Sequence, residues 1–143
     1  VVARQVTEED ALQLVLAVHR LNRALRVSTT ALPLTQLIVL SLLAEHGSMR
    51  IGELAAGVPC SQPTATTVVA GLEPLGLVRR QADPADGRAV LITLTDQGRE
   101  RILSVARREA ELLDQRMAEL TPQERATVLA ATPLLVRLAG SVG

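Results

Sequence analysis

Residues 83–95 of this chain, Asp83-Pro84-Ala85-Asp86-Gly87-Arg88-Ala89-Val90-Leu91-Ile92-Thr93-Leu94-Thr95, read as a charged hairpin tip followed by an alternating strand. Pro84 and Gly87 supply turn chemistry, and the run after them has the β-branched, period-two pattern of a strand. Just upstream, Ser61 to Gly76 is a short helical pattern with a polar face, and Leu77-Val78-Arg79-Arg80-Gln81 is strand-like. Helix, strand, turn and strand in that order make the DNA-reading half of a winged helix-turn-helix. The expected fold class is therefore mainly α, with a small β-hairpin wing.

The rest of the chain supplies the remaining helices. Thr7-Glu8-Glu9-Asp10 is an N-cap with an acidic first turn, and Ala11, Leu14, Val18, Leu21 and Leu25 then recur at spacings of three and four. A second helix is expected from Thr35 to His46, after Pro33 and before Gly47, and Met49-Arg50 is a bridge strand. Ile51 to Gly57 is a short helix, Val58-Pro59-Cys60 its turn, and Ser61 the cap of the recognition helix. That helix buries Ala65, Val68 or Val69, and Leu72, presents Gln62, Thr66 and Thr67 on its other face, and ends near Glu73 because Pro74 and Gly76 follow. Thr95 caps a long helix with an apolar seam from Leu103 to Leu120. Thr121-Pro122-Gln123-Glu124 restarts a last helix running to about Leu138, which Pro133 should kink.

The expected organisation is one domain over 1–143, with a winged lobe at 32–98 and long helices at 6–31 and 99–139. These terminal helices carry more apolar face than one small lobe covers, so their natural partner is a second copy. The alternative is that they pack on each other within one chain.

Composition narrows the function. The 143 residues include no Phe, Tyr or Trp, which argues against aromatic stacking of single-stranded bases or of a planar cofactor. All 15 basic residues are Arg. Cys60 is alone, so neither a disulfide framework nor a thiolate zinc site is expected, and a small buried turn residue is the favoured reading over a redox sensor. The longest nearly uninterrupted apolar run, Leu37 to Ala44, is broken by Ser41 and too short to span a bilayer, and the reading is a soluble cytoplasmic protein. Val rather than Met at the first position reads as a trimmed start. His19 and His46 show no ligand spacing, and no phosphate loop or nucleophile elbow occurs, so no enzyme, metal or cofactor is expected.

The chain resembles the MarR family of bacterial transcription regulators over nearly its whole length. The resemblance is carried by Leu34-Thr35-Gln36-Leu37, Glu53-Leu54-Ala55, Leu72-Glu73 with Gly76-Leu77-Val78-Arg79-Arg80, the wing Asp83-Pro84 with Asp86-Gly87-Arg88, and Leu94-Thr95-Asp96-Gln97-Gly98-Arg99. It implies a homodimer on a pseudo-palindromic duplex-DNA operator, with recognition helices in successive major grooves and wings toward the flanking minor grooves. It further implies a repressor released by a small-molecule effector, with Asp86 bracing the hairpin and Arg88 reaching the minor groove, where negative potential favours a guanidinium. The crevice that holds effectors in such regulators would here be lined by His19, Arg23 and Arg26.

Two features depart from the family pattern. Many relatives have Arg in the middle of the recognition helix, where this chain has Thr67, and they lack a proline at the place of Pro74. Base readout then falls to Gln62, Thr64, Thr66 and Thr67 beside the cap Ser61, with Arg50, Arg80 and Arg88 as candidate backbone or groove contacts. Residues 48–98 contain four Arg (50, 79, 80, 88) against five acids (Glu53, Glu73, Asp83, Asp86, Asp96), a sum of minus one. Net charge thus gives DNA binding no support, and the rival reading is a winged-helix module that contacts protein instead.

Overall fold

Capping side chains fix where most of the helices begin. In the computed structural model, which describes residues 3–26 and 32–140, helix α1 spans Glu8–Leu25. Thr7 and Asp10 cap it reciprocally: Thr7 Oγ1 accepts the Asp10 N–H at 3.1 Å, and Asp10 Oδ2 accepts the Thr7 N–H at 3.0 Å. The end of the first expected helical segment, residues 27–31, lies outside the described residues. Helix α2 (Leu34–His46) follows Pro33 and stops at Gly47, whose φ of 78° is a left-handed value that glycine takes without strain.

Strand β1 (Met49–Arg50) leads into α3 (Ile51–Gly57), and Ser61 caps α4 (Gln62–Leu72) by accepting the Thr64 N–H at 3.2 Å. Strands β2 (Val78–Ala82) and β3 (Val90–Leu94) form the antiparallel wing, with Arg80 opposite Ile92 and Ala82 opposite Val90. β1 adds to the other side of β3, giving the order β1-β3-β2. Helix α5 (Asp96–Met117) starts at Thr95, and α6 (Pro122–Gly140) starts at Thr121, whose N–H donates to Glu124 while its hydroxyl accepts the Glu124 N–H. α6 carries Pro133 in its interior and continues to Gly140, past the expected end, at the cost of the one backbone hydrogen bond that proline cannot donate.

Two compact units make up the chain. Residues 26–107 hold α2, α3, α4, the three strands and the start of α5 around an aliphatic core. Val39, Leu40, Leu54, Val69, Leu72 and Ile92 are fully buried there, and α2 also contributes Leu37 and Leu43. Of the two valines left open by the pattern in α4, Val69 is buried and Val68 is half-buried. The second unit, residues 1–25 with 108–143, contains α1, the end of α5 and α6. Neither α1 nor α6 has a single buried residue, so their apolar faces are left open in one chain. Among the described residues no helix is long and apolar enough to cross a membrane.

Candidate nucleic-acid interface

The recognition helix is held from behind by aliphatic side chains. Ala65, Val69 and Leu72 recur at helical spacing and are fully buried, which turns the opposite face outward. Ser61, Gln62, Thr64, Thr66 and Thr67 are all exposed, as the sequence pattern anticipates. Thr67 lies two residues on from Ala65, about 200° round the helix, so it sits near the centre of the outward face.

Most of the polar atoms of this face are already engaged. The Thr66 hydroxyl donates to the Gln62 carbonyl at 2.9 Å, and the Thr67 hydroxyl donates to the Pro63 carbonyl at 3.0 Å. Ser61 Oγ and Thr64 Oγ1 lie 2.9 Å apart within the cap. Only the Gln62 amide, among the sequence-predicted readers, lacks a hydrogen bond among the described residues. Its Nε2 lies over Gly52 of α3, where a Cβ would come within 3.1 Å of it. Behind the cap, Cys60 is half-buried, and its backbone N–H donates to the Ala55 carbonyl at 3.0 Å.

The wing is tied to the lobe by Arg50, which the sequence reading set at the DNA surface. Its Nε and Nη2 reach Asp83 Oδ2 at 3.0 and 2.5 Å, with the carboxylate almost wholly covered. Asp83 Oδ1 also accepts the Ala85 N–H at 2.9 Å. That backbone hydrogen bond, followed by Arg50, holds the Asp83 carboxyl below its ordinary range, and Asp83 in turn raises the guanidinium of Arg50. Because the folded-state value is depressed, the brace contributes its full stability above the ordinary carboxylate range and loses it only as pH falls through the lowered value.

Asp86, expected to brace the hairpin, acts on a smaller scale: its Oδ1 accepts the Arg88 N–H at 3.1 Å and closes the tip. The longer-range brace is Asp83. Arg88 is exposed at the tip, and its guanidinium carries no ion pair among the described residues. Arg80 is held by Glu73 at 2.5 Å. Arg79, which sequence reasoning left out of the candidate contacts, is exposed and not ion-paired among the described residues. Its signal was available, since adjacent strand residues point to opposite faces and only one of the two arginines can meet Glu73.

His19, Arg23 and Arg26, the expected effector-lining residues, are all exposed, the first two on α1 and the third just after it. Among the described residues no three of His, Cys, Asp and Glu gather to hold a metal ion.

Comparison with known proteins supports the reading. The MarR family model matches residues 32–90. An HTH-type transcriptional regulator of Mycobacterium tuberculosis is 38% identical over 130 residues, covering 90% of this chain and 91% of its own. Among solved structures, a transcriptional regulator protein from Pseudomonas aeruginosa is 33% identical with a TM-score of 0.78, covering 94% of this chain and 98% of that one. Bordetella bronchiseptica BpsR, whose DNA binding is regulated by 6-hydroxynicotinic acid, shares the fold at 24% identity and a TM-score of 0.61, over 96% of this chain and 97% of its own. Helix order, wing and relatives agree, and the chain belongs to the MarR family of HTH-type transcriptional regulators.

Proposed function

We propose that this regulator is a homodimeric repressor that binds a pseudo-palindromic operator in the cytoplasm and releases it on binding a small-molecule effector. The observation that carries the DNA-binding part is the exposed face of α4 beside a wing whose tip presents Arg88, which has no ion pair among the described residues. Dimerisation is supported by the uncovered leucines and valines of α1 and α6, and effector release by the precedent of BpsR. The organisation supported is a winged lobe over 32–98 with dimerising helices at either end.

Electrostatics sets the terms of binding. With Arg50 and Arg80 committed to Asp83 and Glu73, the lobe offers Arg79 and Arg88 to phosphates or grooves. Each neutralised phosphate adds roughly 0.9 to the log-log salt slope, so two per subunit give a dimer about −4, and four per subunit about −7. The pairing seen here favours the shallow end. Titrating the purified protein against the duplex upstream of its own coding region at several salt concentrations tests this. A slope near zero without sequence preference would remove the operator-binding reading.

Arg88→Ala is expected to weaken operator binding by about 1–3 kcal/mol, the range for losing one groove-reading guanidinium. The melting temperature should not change, because the side chain is exposed and makes no ion pair among the described residues. Equal affinity of variant and parent would return Arg88 to the status of a surface residue.

A further inference from the structure

We propose that the recognition helix reads thymine through methyl contacts, so that the major-groove core of the half-site is A·T-rich and holds no guanine anchor. This rests on the DNA-binding reading above. Three observations lead to it. First, the outward face of α4 bears no charge: it consists of Pro63, Thr67, Ala70 and Gly71, flanked by Thr64 and Thr66. The side chains that read guanine best, Arg and Lys, are absent from the helix.

Second, the hydroxyls of Thr66 and Thr67 donate backward to the carbonyls of Gln62 and Pro63. Staggering about the Cα–Cβ bond then leaves the Cγ2 methyl as the outer atom of each side chain. A hydroxyl that donates to the helix has only its lone pairs left for a base, whereas a methyl meets the thymine C5-methyl with nothing to break. Third, the Gln62 amide has no hydrogen bond among the described residues; it stands at the start of the helix over Gly52 of α3, off the methyl-bearing face, and an amide is the side chain that pairs bidentately with adenine N6 and N7. Methyl readers and an amide reader on one helix ask for the same base pair.

The test is selection of duplexes from a randomised palindromic pool, followed by base-analogue and side-chain substitution. The selected half-site should contain thymine at one or two major-groove positions where exchange for deoxyuridine lowers affinity. Removing one contact of this size costs about fourfold, and about 15-fold when both half-sites are changed.

Thr67→Ser keeps the hydroxyl and removes the methyl, so it should lose affinity for the thymine duplex and no longer distinguish it from the deoxyuridine one. Thr67→Val keeps the methyl and removes the hydroxyl, so it should retain the discrimination. Circular dichroism of both variants separates these effects from loss of folding, and Thr66→Ser with Thr66→Val repeats the comparison at the flanking position. A selected half-site anchored on guanine, equal binding of thymine and deoxyuridine duplexes, or loss of discrimination in Thr67→Val and retention in Thr67→Ser would each overturn the methyl reading while leaving operator binding intact. Failure to enrich any sequence would overturn both.

Discussion

Leu134→Arg combined with Leu138→Arg is expected to convert the protein to a monomer and to lower operator affinity about 10²- to 10⁴-fold. The two leucines are 54% and 63% exposed in one chain and stand four apart on α6, hence on one face. Val128, Leu129, Leu135 and Val136 are also open on this helix, as are Leu14, Val15, Val18 and Leu21 on α1. Exposed apolar side chains in this number mark an interaction site. Two guanidinium groups on each copy would have to be desolvated to restore the contact.

The size of the effect on DNA comes from linkage rather than from any contact α6 makes with the operator. Joining two half-site binders makes the second engagement intramolecular, which is worth 10²- to 10⁴-fold when both sites can be reached together. Since neither side chain is covered within the chain, helical content should be unchanged. Sedimentation that still returned a dimer at micromolar concentration would move the interface away from this face of α6.

What the sequence made legible was mostly local. The caps at Thr7, Ser61, Thr95 and Thr121 each satisfy an N–H three residues ahead, so residue type and spacing suffice to find them. The second wing strand followed from period-two alternation after the turn residues, and the first, read as Leu77 to Gln81, shifted by one residue to Val78–Ala82. Interactions across long stretches of chain were not legible. Arg50 and Asp83 lie 33 positions apart, and charge alone leaves Asp83, Asp86 and Glu53 as equal candidates for Arg50. Only the folded register puts the buried carboxylate under the guanidinium.

The same limit applies to the recognition helix. Its exposed residues were identifiable from the burial period, yet whether a threonine hydroxyl faces solvent or its own helix depends on a rotamer that sequence does not encode. Nor does the sequence show that Glu73 pairs with Arg80 and Asp83 with Arg50.

Gly98→Ala is expected to destabilise the winged lobe by about 2–3 kcal/mol, against the usual preference of helices for alanine. Gly98 is buried in the first turn of α5, where the Thr95 N–H donates to the Leu77 carbonyl at 3.1 Å. The Thr95 hydroxyl donates to the Gly76 carbonyl at 2.6 Å and accepts the Gly98 N–H at 3.0 Å. These bonds pin the helix start on the segment leading into β2, and a Cβ at Gly98 would overlap the Leu77 carbonyl and crowd Leu94.

Alanine ordinarily gains about 1 kcal/mol over glycine inside a helix. Here the obstacle is backbone, which can retreat only by giving up the bonds to Thr95. Overpacking of about 1–3 kcal/mol and cap loss of about 0.5–2 kcal/mol therefore outweigh the gain. At about 2–4 °C per kcal/mol for a chain near this size, the melting temperature should fall by about 4–12 °C. Gly87 at the wing tip has nothing within 4 Å of an added Cβ, so Gly87→Ala should melt close to the parent and serves as the control. An equal or higher melting temperature for Gly98→Ala would mean that the start of α5 can lift from Leu77 without cost, and that the lobe does not depend on this contact.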